Sequence, residues 1–151
     1  MRHYRILFVC TGNTCRSPMA EALLRSKELS YIEAKSAGVF AMDGCDVSEH
    51  AKTVLAEKGV GVAHLSSLLR KEHIDWATHI LTMTEGHKHH VTSRFPEARD
   101  KTYTLKGFIF GGEGDILDPF GGSIEVYRDT RQELEQLIEQ LLGKLNHEGL
   151  S

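Results

Sequence analysis

Cys10 and Arg16 lie six residues apart in the run Cys10-Thr11-Gly12-Asn13-Thr14-Cys15-Arg16-Ser17-Pro18. Gly12 and Asn13 are residue types that tolerate left-handed backbone angles, which lets successive amides turn inward as a nest. The positive end of a helix opened by Ser17-Pro18, with Ser17 as its cap, adds to that field. Arg16 suits a bidentate grip on two phosphoryl oxygens. A thiol at the mouth of such a field is pushed toward thiolate, so Cys10 is the candidate nucleophile. An activated nucleophile inside an anion cradle is what covalent phosphoryl transfer requires. A bare cysteine followed by an arginine would read as a strand end beside an ordinary helix start; here the glycine, asparagine and serine-proline coincide with them.

Such a reaction needs a proton for the leaving group and then a base for the incoming water, and one carboxyl can serve both in turn. Asp118 is the candidate because Pro119 restricts the backbone before it. Gly111, Gly112, Gly114, Gly121 and Gly122 flank it, giving a pliable loop that can approach the cradle. Asp115 is the alternative and lacks the proline. Without the first loop, Asp118 would read as a solvated turn residue, the commoner use of Asp-Pro.

The elements that must hold these groups follow from the apolar pattern. Arg5 to Cys10 is a continuous apolar run after a polar start, the mark of a strand buried on both faces of a parallel sheet. A helix is expected from Ser17-Pro18 to about Ser30, with Glu21 in its first turn. Ile32 to about Ala37 predicts a second strand ending at Gly38, and Ser48 to Lys58 a helix stopped by Gly59. A short helix is expected over Leu65 to Glu72, a third strand over His79 to Thr84, a helix over Glu85 to Ser93 and a fourth strand over Thr102 to Leu105. A glycine-rich loop then spans about Gly107 to Gly122, and Ser123 to Leu145 carries a helical stripe that favours packing on a sheet over a short coiled coil. Strands alternating with helices predict one α/β doubly wound domain over residues 1–151, with ligands beyond the carboxyl ends of the strands.

At the cradle residues the chain resembles the low-molecular-weight protein tyrosine phosphatase family. The resemblance continues in Lys35-Ser36-Ala37-Gly38, Ala63-His64-Leu65-Ser66, Leu81-Thr82-Met83-Thr84 and Asp118-Pro119, and so covers essentially the whole chain. It implies a four-stranded parallel sheet flanked by helices, a metal-free mechanism without cofactor, and a cysteinyl-phosphate intermediate. It also implies that Asn13, Ser17, Ser36 and His64 form a hydrogen-bonded network holding the loop, with Ser17 donating to the Cys10 sulfur. By type alone, Ser36 and His64 would be ordinary strand-end or cap residues.

Two positions depart from the common tyrosine phosphatase pattern. Thr14 replaces a bulky aliphatic residue before Cys15, and Phe120 is followed by Gly121-Gly122-Ser123 instead of a second aromatic residue. Both resemble the bacterial protein arginine phosphatase branch of the family. A phosphotyrosine ring favours an apolar wall, whereas a phosphoarginine guanidinium is planar and dense in N–H donors that a Thr14 hydroxyl and the Asp118 carboxylate would accept. Phe120 can stack on either. Substrate contacts are expected from Thr11, Gly12, Asn13, Thr14, Cys15, Ser17 and Phe120, with phosphoarginine in proteins as the first reading and phosphotyrosine as the second. The branch also implies a counterpart arginine kinase and a place in the stress response.

Composition bounds the rest. The 151 residues are 40% hydrophobic and 26% charged, with a net charge of -3, which excludes disorder and argues against a nucleic-acid-binding domain. The early apolar run is too short to span a membrane or serve as a signal peptide, so a soluble cytoplasmic protein is expected. Three cysteines do not make a disulfide scaffold. An arsenate reductase would need further cysteines late in the chain, where this sequence has only Cys45 beyond the loop. A non-catalytic oxyanion-binding or redox-sensing module, pairing Cys10 with Cys15, would have no use for Asp118. His87 and His90 have the helical spacing of zinc ligands but lack a completing ligand, so a solvated helix face is the expectation there. The sequence sets no oligomeric state.

Overall fold

Ile6, Leu7, Phe8 and Val9 have no exposed surface in the computed structural model, which describes residues 2–150; the first and last residues of the expected 1–151 domain lie outside them. These four belong to β1 (Tyr4–Cys10), and alternation along the strand sends Ile6 and Phe8 to one apolar cluster and Leu7 and Val9 to the other. β1 pairs in parallel with β2 (Ile32–Gly38) on one side and β3 (His79–Thr82) on the other, and β3 pairs with β4 (Thr102–Thr104). The order β2-β1-β3-β4 makes a four-stranded parallel sheet. Strand order reverses beside β1, so the crevice past its carboxyl end is the place such a sheet offers a ligand.

Helices cover both faces. α1 (Arg16–Arg25), α2 (Glu49–Ala56), α5 (Leu105–Phe110) and α6 (Ile124–Leu150) share one face, with Tyr127, Leu134, Leu137, Ile138, Leu141 and Leu145 of α6 buried there. α3 (Lys71–Trp76) and α4 (Glu85–Arg94) cover the other through Ile74 and Val91. Ser48 caps α2 by accepting from the Ala51 amide, and Gly59 ends the turn after it at φ +70°. Among the described residues no helix is long and apolar enough to cross a membrane.

Three expected elements differ. α1 stops at Arg25, because the Ser26 hydroxyl bonds back to the Leu23 carbonyl at 2.6 Å and Glu28 turns the chain at φ 52°. Residues 65–70 are extended, since their backbone pairs with the segment after β2: Leu65 opposite Asp46, and Leu68 opposite Gly38. The helix in that region is α3, further along. The glycine-rich stretch begins with α5, where the Thr104 hydroxyl accepts from the Gly107 amide at 2.9 Å and Leu105 and Phe108 are buried.

Candidate active site

The loop between β1 and α1 closes around the end of Cys10. Asn13 is its left-handed residue, at φ 57°, whereas Gly12 is not left-handed, and a Cβ there would meet only the Thr14 hydroxyl oxygen at 3.8 Å. The glycine the loop depends on is Gly38, opposite Cys10 in the sheet register. A Cβ on Gly38 would fall 2.4 Å from the Thr11 carbonyl oxygen and 3.0 Å from the Asn13 amide nitrogen, so only glycine lets β2 lie against the cradle.

Asn13 is fully buried and makes four bonds. Its Nδ2 donates to Ser17 Oγ at 2.8 Å and Ser36 Oγ at 2.9 Å. Its Oδ1 accepts from the Ser67 amide at 2.9 Å and from His64 Nε2 at 3.0 Å. Ser17 is not the helix cap; Cys15 holds that place without a side-chain bond. The Ser17 hydroxyl lies instead 2.8 Å from Cys10 Sγ. Ser36 donates on to Glu21 Oε1 at 2.6 Å, and His64 Nδ1 faces the same oxygen at 3.5 Å. Glu21 is therefore not a first-turn residue interacting with the helix dipole. It is a buried carboxylate at the far end of a chain of bonds that reaches the Cys10 sulfur.

Burial pushes the Cys10 thiol up, and the Ser17 hydroxyl and amide, the Arg16 charge and the Asn13 amide pull it down. The net direction is upward, against the expectation that the cradle's field alone would favour thiolate. Cys15 is buried too, with its sulfur 3.4 Å from the Tyr127 hydroxyl and 3.6 Å from Ser48 Oγ. Burial and the Cys15 contact push the Tyr127 phenol up to about 12. Cys10, Cys15 and the exposed Cys45 are all free thiols.

Arg16 is 5% exposed, and its Nη1 donates to the Ile116 carbonyl at 2.8 Å. Its Nη2 lies 3.6 Å from Asp118 Oδ2. The acid loop and the cradle thus meet at the arginine. Asp118 is half-exposed, and its Oδ1 accepts from the Phe120 amide at 3.0 Å, an Asx turn that fixes the carboxyl's direction beyond what Pro119 supplies. Asp115 is used otherwise: its Oδ1 accepts from the Glu85 amide at 2.8 Å, at the start of α4. Cys10, Thr11, Gly12, Asn13, Thr14, Cys15, Arg16, Asp118 and Phe120 line one cavity of about 230 Å³. Ser17, Ser36 and His64 stand behind it.

His87 corrects the expectation of a solvated helix face. Its ring is 7% exposed, with Nε2 2.8 Å from Thr11 Oγ1. Burial, then the charge of Arg16, hold it down to about 4. His90 instead meets the exposed Phe40 edge-on, with ring centroids 5.0 Å apart. Among the described residues no group of three or more His, Cys, Asp or Glu side chains could hold a metal ion.

The family model described as low molecular weight phosphotyrosine protein phosphatase matches residues 5–150. The chain belongs to that family. Among curated members, a protein-arginine-phosphatase of Geobacillus stearothermophilus is 66% identical over 145 residues, covering 96% of this chain and 98% of the relative. One from Bacillus subtilis is 49% identical over 143 residues, covering 93% and 95%. A low molecular weight protein-tyrosine-phosphatase PtpB of Staphylococcus haemolyticus is 41% identical over 141 residues, covering 93% and 96%. Among solved structures, the YwlE arginine phosphatase from Geobacillus stearothermophilus superposes with a TM-score of 0.95 at 66% identity, covering 97% of this chain and 96% of that one. A cysteine-to-serine mutant of the YwlE arginine phosphatase, with a phosphorylated active-site serine, superposes with a TM-score of 0.90 at 47% identity, covering 94% and 95%. Sequence reasoning missed Glu21, Gly38 and His87, which the structure brings against the cradle or the bonds behind it. Gly38 alone carried a signal, as the glycine ending β2.

Proposed function

We propose that this chain is a protein arginine phosphatase that hydrolyses phosphoarginine in proteins. The observation that carries the reading is the shared cavity, lined together by the Cys10 thiol, the buried Arg16, the half-exposed Asp118 carboxyl and Thr14. The names of the 66% and 49% identical relatives support the arginine preference.

In this mechanism Cys10 attacks as the thiolate. Its sulfur forms a bond to phosphorus while the bond from phosphorus to the guanidine nitrogen breaks. The Asp118 carboxyl gives its proton to that departing nitrogen. The resulting carboxylate then takes a proton from a water whose oxygen attacks phosphorus. The sulfur–phosphorus bond breaks, phosphate leaves, and Cys10 returns as the thiolate with Ser17 donating to it. Arg16 and the loop amides balance the charge that collects on the phosphoryl oxygens in both steps. Thr14 accepts from the guanidinium, and Phe120 stacks on it.

A cytoplasmic place of action belongs to the same proposal, because the nucleophile must stay a reduced thiol. Tyrosine phosphatase activity is the second reading, favoured by the 41% identical PtpB relative and by Phe120, which would stack equally well on a phenol ring. The test is a rapid-quench reaction with a phosphoarginine peptide, followed by mass spectrometry. Phosphate attached to Cys10 is the expected result; turnover with an unmodified Cys10 at every time point would overturn the covalent mechanism.

A further inference from the structure

The first turn of α4 touches both halves of the site. At its start the Glu85 amide donates to Asp115 of the acid loop, and two residues on His87 reaches Thr11 of the cradle. Thr84 caps the helix by accepting from the His87 amide at 3.1 Å, which fixes where that ring emerges. Thr11 lines the cavity, and its backbone is pinned separately by the Phe40 amide, which donates to the Thr11 carbonyl at 3.0 Å. The contact to His87 therefore acts on the hydroxyl alone.

His87 Nδ1 is buried with no hydrogen-bond partner, and it is the one such side-chain atom among the described residues. An orphaned buried nitrogen costs stability, and a leucine of similar volume would remove that cost. A polar group kept at such a cost beside a reactive loop points to a positional task. The ring is neutral, so one nitrogen carries the proton and the other a lone pair. The largest charge acting on it is the positive Arg16 guanidinium, with Asp115, Asp118 and His90 following. A buried N–H is left without an acceptor more rarely than a lone pair is left without a donor, so the unpartnered Nδ1 carries the lone pair and the proton sits on Nε2, the nitrogen that has a partner.

We propose that His87 is a positioning residue: its Nε2–H donates to Thr11 Oγ1 and so turns the Thr11 hydroxyl proton into the cradle, as a side-chain donor to a bound phosphoryl oxygen. The inference rests on reading the cavity as a phosphoryl site. It adds one donor to the amides and Arg16, and it joins the cradle to the helix that also anchors the acid loop.

Four variants test it: His87→Leu, His87→Gln, Thr11→Val and the double His87→Leu/Thr11→Val. Inorganic phosphate is titrated against each by NMR, and turnover and thermal unfolding are measured alongside. His87→Leu and Thr11→Val should each weaken phosphate binding and kcat/KM by about tenfold, the loss of one hydrogen bond to an anion. The double variant should be no worse than Thr11→Val, and His87→Gln should recover part of the loss through its amide N–H. The Tm of His87→Leu should hold or rise, which a merely structural histidine would not allow. Ring nitrogen shifts in the wild type should show the proton on Nε2. Wild-type phosphate affinity in His87→Leu, additive losses in the double variant, or a proton on Nδ1 would overturn the inference. A wild type that binds phosphate but turns nothing over would overturn the proposed function instead, and the binding series would still decide the role of His87.

Discussion

The Ser17 hydroxyl lies 2.8 Å from the Cys10 sulfur, and Asn13 holds its oxygen from the other side. Asn13 Nδ2 donates to Ser17 Oγ at 2.8 Å, so the hydroxyl's own proton is left to face the sulfur. Ser17→Ala removes that donor from a thiol that burial already pushes up. The rate of Cys10 alkylation by iodoacetamide, followed against pH, should then rise only at higher pH than in the wild type. Turnover should fall ~10–100-fold, the scale of one hydrogen bond to a charged group. An unmoved alkylation profile would remove Ser17 from the control of the nucleophile.

Asp118 and Asp115 separate cleanly in the structure, one at the cavity and one at the start of α4. Asp118→Asn should slow hydrolysis by about a hundred- to ten-thousand-fold, with phosphate affinity changed far less. Asp115→Asn keeps an oxygen that can accept from the Glu85 amide, so its rate should stay within about threefold of wild type. Steady-state kinetics and phosphate titration of both variants check this. The reverse ranking would transfer the acid role to Asp115.

Much of this site was legible before any coordinates. The run from Cys10 to Pro18 and the Asp118-Pro119 pair name the chemical groups, although the turn falls on Asn13 and not Gly12, and Ser17 serves the Cys10 sulfur and not the helix cap. The sheet was legible too, since an unbroken apolar run such as Ile6 to Val9 has only one comfortable home. Long-range pairing was not. The segment 65–70 has helix-compatible residues, yet Asp46 and Gly38 claim its backbone. Glu21 reads from the sequence only as an acid in the first turn of a helix, and the tertiary arrival of Ser36 and His64 is what ties it to the cradle. His87 looked like one member of an exposed cluster for the same reason: its hydrogen-bond partner is Thr11, 76 positions away.

The stability of the fold should depend on that histidine in mildly acid solution. Burial and Arg16 hold His87 down to about 4 from an ordinary 6.5. As pH falls through 6.5 the unfolded chain takes up the proton, and the folded chain does so only near 4. The penalty for holding the ring neutral is therefore absent above pH 6.5 and grows as pH falls toward 4, destabilising the fold by on the order of 2 kcal/mol after allowance for partial solvent screening. Denaturant unfolding of the wild type and of His87→Leu at a series of pH values should give curves that diverge over that window. Parallel curves would contradict the depressed titration.

Thr14 is half-buried on the cavity wall, with its carbonyl fixed by the Ser48 amide at 3.0 Å, so a change of side chain acts on the wall and not on the loop's path. Thr14→Ile should lower activity on phosphoarginine and keep or raise it on phosphotyrosine, where the added apolar contact contributes about 1–2 kcal/mol, roughly tenfold. The ratio of the two kcat/KM values is the quantity to measure. If both fall together, the isoleucine distorts the cradle and Thr14 has no part in the choice of substrate.

The central claim is tested most directly by one side-by-side assay. The wild-type enzyme, fully reduced, is given the same protein phosphorylated either on arginine or on tyrosine, and kcat/KM is determined for each. A higher value for the arginine-phosphorylated protein, abolished in both cases by Cys10→Ser, is the result this account predicts. A higher value for the tyrosine-phosphorylated protein would contradict it.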